Sequence, residues 1–318
     1  AVKKGIDLYL LNRGNRSELI PKGAKSIIGD IRDIETAREI LKDYKFDVVV
    51  DWVAFNVEHV KASIELFRDK TSQYIFISSA SVYQKPPSHY LITESTPLVN
   101  PYWQYARDKI ECENILMEEY ANNNFPVTIV RPSYTYGKTM IPFIFNSRIR
   151  RWTIVDRMKK GKKIIVPGDG TSLWTLTHNT DFAKGFIGLM GNVQAIGHAF
   201  HITSDEVLTW DQIANIIGSA VGVKPEIIHI PSEFIGAFSP ESIGGLLGDK
   251  SVSVVFDNSK IKRFVPGYQA TVSFVEGIKE SIEWYEADAG RREVDEEFNL
   301  LADKIINAYE KALELAKE

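Results

Sequence analysis

Tyr74-Ile75-Phe76-Ile77-Ser78-Ser79-Ala80-Ser81-Val82-Tyr83, followed beyond a Pro- and Ser-containing loop by Tyr105-Ala106-Arg107-Asp108-Lys109, decides how this chain is read. The apolar run 74–77 predicts a strand buried on both faces, the kind found in parallel sheets. The strand ends in hydroxyl side chains. Tyr105 and Lys109 stand four residues apart within a helical pattern that extends to about residue 123, so a phenol and an ammonium share one helix face. A free phenol titrates near ~10 and is a poor base at neutral pH, and a neighbouring ammonium stabilises the phenolate and lowers that value. Serine, tyrosine and lysine combined in this way make a proton-transfer device for a carbonyl/alcohol pair. Ser78, Ser79 and Ser81 all compete for the serine role, because a strand-ending serine can equally bond the backbone.

Working outward, strands over 6–11, 24–28 and 46–51 alternate with helical patterns over 34–44 and 57–67, and a strand over 127–130 follows the Tyr105 helix. That rhythm predicts a doubly wound parallel α/β sheet with right-handed crossovers. Asn12, Asp30, Asp51, Ser78 and Arg131 then fall together at the C-terminal strand ends, where such sheets hold ligands. After Arg131-Pro132-Ser133-Tyr134-Thr135-Tyr136-Gly137 the rhythm loosens. Here the pattern predicts a basic helix over 144–163, strands over 163–166, 173–177, 199–203 and 226–230, and helices over 181–190, 209–221 and 272–285. A Gly-rich loop of undefined form covers 239–250, and an amphipathic helix covers 294–315.

Composition narrows the function classes. A net charge of -4 over 318 residues argues against a protein devoted to nucleic acid. The single cysteine, Cys112, excludes an internal disulfide and fits a reducing compartment, and its place on the Tyr105 helix reads as packing rather than reactivity. No apolar run reaches the length of a membrane span and no leader pattern opens the sequence, which together predict a cytoplasmic protein. The histidines offer no metal site: His198 and His201 would point to opposite faces of a strand.

These motifs together resemble the extended short-chain dehydrogenases/reductases, the NAD-dependent epimerase/dehydratase family. The resemblance rests on Ser78-Ser79-Ala80-Ser81-Val82-Tyr83, on Tyr105 and Lys109, on Arg131-Pro132 with Tyr136-Gly137, on Pro167-Gly168-Asp169-Gly170, and on His178 with Asp181. It covers the chain to about residue 285. It implies a Rossmann-type doubly wound sheet with a smaller C-terminal substrate domain. Residues 1–140 would bind NAD(P), with 175–204 returning to that domain. Residues 141–174 and 205–290 would form the substrate domain, and 291–318 a C-terminal amphipathic helix. Ser79, four residues before Tyr83, is the implied catalytic serine. Tyr105 would be the acid/base, and Lys109 would bind the nicotinamide ribose and tune Tyr105. Pro132, Ser133 and Tyr134 would flank the nicotinamide, with Asp30 and Ile31 beside the adenine. Trp52, Ala54 and Ser78 would line the dinucleotide, and Ser81, Tyr83 and Trp174 would face substrate. Dimers by helix packing are common in the family, with the Tyr105 helix as the candidate surface for a homodimer.

The chain departs from the family pattern in three ways. No G-x-x-G-x-x-G occurs, although that turn cradles the pyrophosphate. The expectation is that a first strand and its turn, about 25–30 residues, lie upstream of Ala1, since without that strand a doubly wound sheet is open at its centre. The strand over 6–11 is followed by Asn12-Arg13, where an acidic residue would favour NAD; Arg13 can instead meet a 2′-phosphate and favours NADP. Ala80 and Ser81 occupy the places of the Asp-Glu pair of the 4,6-dehydratases. This disfavours dehydration and leaves epimerase or ketone reductase. Trp174 stands where many nucleotide-sugar enzymes carry a basic residue. The resulting expectation is an NAD(P)-dependent oxidoreductase or epimerase acting by hydride transfer on a carbohydrate-like small molecule. The alternative is a non-catalytic dinucleotide- or RNA-binding protein on the same fold, for which the basic run from Arg148 to Lys163 could serve as the contact.

Overall fold

In the computed structural model, which describes residues 1–317, the chain forms two compact units. The first comprises Ala1–Ser78, Asp108–Val130 and Ile187–Ala199. The second comprises Ser79–Arg107, Arg131–Phe186 and the chain from Phe200 onward.

The first unit contains strands β1 (Tyr9–Asn12), β2 (Lys25–Ile28), β3 (Phe46–Asp51) and β4 (Thr71–Ile77), and helices α1 (Ile34–Ile40) and α2 (Val57–Phe67). Helix α3 (Gln104–Asn123) runs into it from the second unit. Every strand pairing here is parallel: β1 with β2, β3 with β4, and β4 with Val127–Arg131. The helices start where the sequence supplies caps. Asp33 accepts from the Thr36 N–H, and Asn56 from the His59 N–H, satisfying donors that helix ends leave unpaired. One apolar core joins Ile27, Ala37 and Leu41 to Val60, Ile64, Tyr74, Phe76 and Leu116.

The sheet is not continuous. Its ladders are β1–β2 on one hand and β3–β4 with Val127–Arg131 and Ala199–His201 on the other. Among the described residues, β1 and β3 therefore each pair on one edge only. Burial reflects this: β4 is almost wholly buried, whereas Val48, Val49 and Val50 of β3 are half-buried.

The second unit is built from short pairs rather than one sheet. Tyr134–Tyr136 pairs with Leu176–His178, Ile164–Pro167 with Ile227–Ile230, and Leu91–Ile92 with Val255–Phe256, all parallel; Leu173–Trp174 pairs antiparallel with Leu208–Thr209. Its core stacks Trp152 on Tyr285 and Trp174 on Trp210. Helices Trp210–Ala220 and Phe274–Glu286 open with capping boxes from Thr209/Gln212 and Ser273/Glu276.

The helix expected over 144–163 is much shorter, Thr153–Lys159. Upstream, Asn146 Nδ2 donates to the Arg151 carbonyl, and Ser147 Oγ accepts from the N–H groups of Ile149 and Arg150. These side chains offer the backbone an alternative to helix. The basic run is not a free cationic face. Arg150 pairs with Glu293, Lys159 with Glu286, Lys160 with Asp156, Lys162 with Asp303 and Lys163 with Glu310. Arg157, its side chain 1% exposed, pairs with Asp303 at 2.6 Å. Most of these acids belong to the C-terminal segment, whose helix Glu296–Leu315 buries Ala302, Ile305 and Ile306 in the core of this unit. Among the described residues no helix is long and apolar enough to cross a membrane.

Candidate active site

The second unit holds a cavity of about 270 Å³ lined by Ser79, Ser81, Tyr105, Pro132, Ser133 and Tyr134 among others. Ser79 follows the end of β4 and caps a short 3-10 turn, Ala80–Val82, its Oγ accepting from the Ser81 N–H at 3.2 Å. The same Oγ lies 2.9 Å from Ser81 Oγ and hydrogen-bonds Tyr105. Ser79 thus does two things that the sequence reading distributed over several serines: it ends the strand segment and it faces the tyrosine. The Tyr105 phenol is shifted upward rather than downward. Burial disfavours the phenolate, the hydrogen bond from Ser79 opposes that shift, and the Asp249 carboxylate adds to it. Tyr105 is consequently protonated at neutral pH. Ser133 Oγ, in the same wall, is buried without a hydrogen-bond partner among the described residues.

Lys109 lies one turn further along α3 and belongs to the first unit. Its ammonium donates to the carbonyls of Ala54 at 2.6 Å and Ile77 at 2.8 Å, and sits over the rings of Phe55 and Phe76. Burial lowers its pKa to about 8. The Ala54 carbonyl is itself held in place. Buried Asp51 accepts from the N–H groups of Val53 and Ala54, both at 2.9 Å, and from Ser63 Oγ and the Tyr74 hydroxyl, both at 2.8 Å. Asp51 therefore fixes the turn that receives Lys109. Its signal in the sequence was an acidic residue at the end of a continuous apolar strand, which was read only as a polar turn.

The residues expected along a dinucleotide also lie in the first unit. Ser78 Oγ is buried and without a partner among the described residues. Trp52 is half exposed and Ala54 fully buried. Asn12 ends β1, where its Oδ1 accepts from the Gly14 N–H; Gly14 adopts φ +78, which a side chain would strain. Arg13 beside it is exposed. Asp30 Oδ1 accepts from the Arg32 N–H, and Ile31 packs against the core.

Three expected substrate residues stand differently. Ser81 lines the cavity. Tyr83 is buried, with its hydroxyl 2.9 Å from His201 Nδ1, a core contact. Trp174 is 2% exposed and stacked on Trp210. A cation stands beside it: Lys250 Nζ lies 5.8 Å from the Trp174 ring and lines the cavity, with Asp249 and Trp103. Sequence reasoning missed Asp249 and Lys250, because 239–250 carried no periodicity, and Trp103, which stands at the loop end just before the Tyr105 helix. No group of three or more His, Cys, Asp or Glu among the described residues could hold a metal. Cys112 is packed in the core of the first unit, its thiol pushed up to about 12 by burial.

A parallel sheet flanked by helices, with hydroxyls gathered after the strand ends, defines a Rossmann-type α/β protein of the extended short-chain dehydrogenase/reductase class. Residues 56–203 match the NAD dependent epimerase/dehydratase family. A chloroplast stem-loop binding protein of 41 kDa from Arabidopsis thaliana is 30% identical over 280 residues, covering 87% of this chain and 68% of that protein. A UDP-glucose 4-epimerase from Lactobacillus helveticus is 24% identical, covering 82% and 84% of the two chains. Among solved structures, a dTDP-glucose 4,6-dehydratase from Bacillus anthracis in complex with NAD superposes with a TM-score of 0.71 at 19% identity, covering 91% of each chain. A UDP-glucuronic acid 4-epimerase from Bacillus cereus superposes with a TM-score of 0.70 at 18% identity, covering 90% and 93%. The chain belongs to the NAD-dependent epimerase/dehydratase family.

Proposed function

We propose that this chain is an NAD(P)-dependent epimerase or ketone reductase acting at a hydroxyl or keto carbon of a sugar-like substrate. The observation that carries the reading is the hydrogen-bonded Ser79–Tyr105 pair in a cavity walled by Pro132, Ser133 and Tyr134. In the reductive direction Ser79 donates a hydrogen bond to the substrate oxygen and Tyr105 gives up its phenolic proton to that oxygen. In the oxidative direction Tyr105 takes the proton back. Lys109, one helical turn from Tyr105, supplies positive charge whose buried position is set by Ala54, Ile77 and Asp51. A nicotinamide dinucleotide, when bound, supplies the hydride acceptor and donor. The partnerless Ser78 hydroxyl and the exposed Trp52 suit the lining of such a group, and Arg13 suits a 2′-phosphate. No glycine-rich cradle for its pyrophosphate occurs among the described residues. Ala80 and Ser81, in place of an acidic pair, leave no second proton-transfer group at those positions and disfavour 4,6-dehydration.

The test is turnover of nucleotide sugars by the purified protein with NAD⁺ and NADP⁺ in turn, following epimer formation and cofactor reduction. Interconversion that is lost in Tyr105→Phe supports the reading. Full turnover in Tyr105→Phe would refute it. Arg13→Ala is expected to lower kcat/KM with NADP⁺ more than with NAD⁺.

RNA binding is the second reading, favoured by the 30% identity to the Arabidopsis thaliana stem-loop binding protein. Against it stand the acidic net charge and the ion pairs that occupy most of the basic run. Salt-sensitive binding of a stem-loop RNA, without redox activity on any alcohol, would favour it.

A further inference from the structure

The turn Leu246–Lys250 is a π-helical segment, a form that recurs at functional sites. It is held in place by its carbonyls. Asn100 Nδ2 donates to the Gly248 carbonyl at 2.7 Å, Lys85 Nζ to that of Asp249 at 3.2 Å, and Trp210 Nε1 to that of Lys250 at 3.1 Å. All three donor residues are buried. Gly248 permits the close approach: a Cβ there would meet Trp103 Cβ at 2.9 Å. Three successive carbonyls captured by three buried side chains fix the backbone of residues whose side chains have another task. Those side chains, Asp249 and Lys250, line the cavity that contains Ser79 and Tyr105.

The two side chains form an ion pair of 2.7 Å, 15% and 18% exposed. Around Lys250 Nζ stand the rings of Trp103, Tyr134 and Trp174, at 5.9, 5.4 and 5.8 Å. A second cavity of about 490 Å³ shares Trp103, Tyr134 and Lys250 with the first. Lys250 thus stands where the reacting pocket continues into room for the rest of a substrate.

We propose that Asp249 and Lys250 are the specificity-determining pair of this site, the carboxylate accepting from one hydroxyl and the ammonium donating to the next on an uncharged sugar ring. The inference rests on the sugar-directed reading above. The pair presents an acceptor and a donor side by side with no net charge. A neutral polyol matches that pattern, whereas a carboxylated ring would bring a second anion against Asp249 in a site of restricted solvent, where like charges repel strongly. Of the rings beside the ammonium, Trp103 and Tyr134 line both cavities and offer apolar surface to the C–H side of a ring. A buried hydrogen-bonding site also rejects ligands that lack the matching hydroxyl, because its own groups are then left unpaired.

The test is calorimetric titration of the full chain with UDP-glucose, with UDP-glucuronic acid as its carboxylated counterpart and UDP as the ring-free control. Wild type is expected to bind UDP-glucose more tightly than UDP-glucuronic acid. Lys250→Met and Asp249→Asn are each expected to weaken UDP-glucose at least about tenfold, as loss of one good hydrogen bond does, and to leave UDP unchanged. Lys250→Arg should restore most of the affinity, and Asp249→Asn should narrow the preference between the two sugars. Absence of UDP-glucose binding by wild type, a preference for UDP-glucuronic acid, or unchanged UDP-glucose affinity in variants that melt like wild type would each overturn the inference. Turnover measured in parallel separates the two claims. Binding that follows the expected pattern without hydride transfer defeats the proposed reaction and leaves the pair standing. Turnover with a UDP-glucose affinity insensitive to both variants does the reverse.

Discussion

The surroundings of Asp51 in the first unit and of Ser133 in the second treat buried polar groups in opposite ways. In the first, Asp51 accepts four hydrogen bonds and Lys109 donates to two carbonyls, so each charge is used to fix main chain. In the second, Ser133 Oγ lies buried in the cavity wall without a partner among the described residues, and Asp249 and Lys250 have only partial exposure beside it. Around Asp51 and Lys109 the buried polar groups are spent on scaffold, although Ser78 Oγ in the same unit is left without a partner among the described residues; around Ser133 hydrogen-bonding capacity stays open toward a cavity, as a binding site must. Burial also moves two titrations in opposite directions, the Tyr105 phenol up and the Lys109 ammonium down to about 8, because it disfavours the charged form of each.

The contrast is most easily broken at Tyr105. Tyr105→Phe is expected to lower turnover by about two to four orders of magnitude while leaving the melting temperature near that of wild type, since its hydroxyl serves chemistry rather than the fold. A variant that melts well below wild type would move Tyr105 to the scaffold side. Because the phenol is shifted up, the oxidative rate should also climb with pH through the alkaline range, whereas the reductive rate should be flat near neutrality.

Asp51→Asn tests the scaffold side. The amide cannot accept the four bonds the carboxylate does, so a loss of about 1–3 kcal/mol is expected on chemical denaturation. Arg157→Met should cost a similar amount, since it abandons Asp303, Asn299 and the Lys163 carbonyl inside the second unit. A near-neutral result would return the basic run to a solvated face.

Lys109 allows a finer test. Its folded pKa of about 8 lies below the unfolded value near ~10.4. Between those values the unfolded chain binds more protons, so stability attributable to this group rises with pH. Its burial cost is complete below about pH 8 and is relieved as the pH climbs through that value toward ~10.4. Wild type should therefore gain on Lys109→Met by about 2 kcal/mol between pH 7 and 9.5. Parallel unfolding curves at the two pH values would contradict the assignment. The smallest effect belongs to Lys160→Ala, whose exposed i,i+4 pair with Asp156 should leave the melting temperature unchanged.

Legibility in the sequence followed the same division. The strand Thr71–Ile77, helix α3 and the helix after Thr209 were readable because each is a local pattern, an apolar run for the strand and a 3.6-residue period for the helices. The 144–163 segment was overread as one helix, because side-chain bonds from Asn146 and Ser147 compete with helix in a way that periodicity does not register. The role of the basic run was open for a similar reason, since most of its acidic partners lie more than a hundred residues away.

By itself, the sequence determined the parallel α/β class, through its alternation of strands and helices, and its motifs carried the family resemblance that nominates Ser79, Tyr105 and Lys109. Only the tertiary structure decided which serine faces Tyr105, that Trp174 is core, that Asp51 carries the turn receiving Lys109, and that Asp249 and Lys250 reach the cavity. The physical reason is the distance along the chain. Asn100, Lys85 and Trp210 fix the turn at 248–250 from far outside its own segment, and no local pattern encodes contacts of that kind.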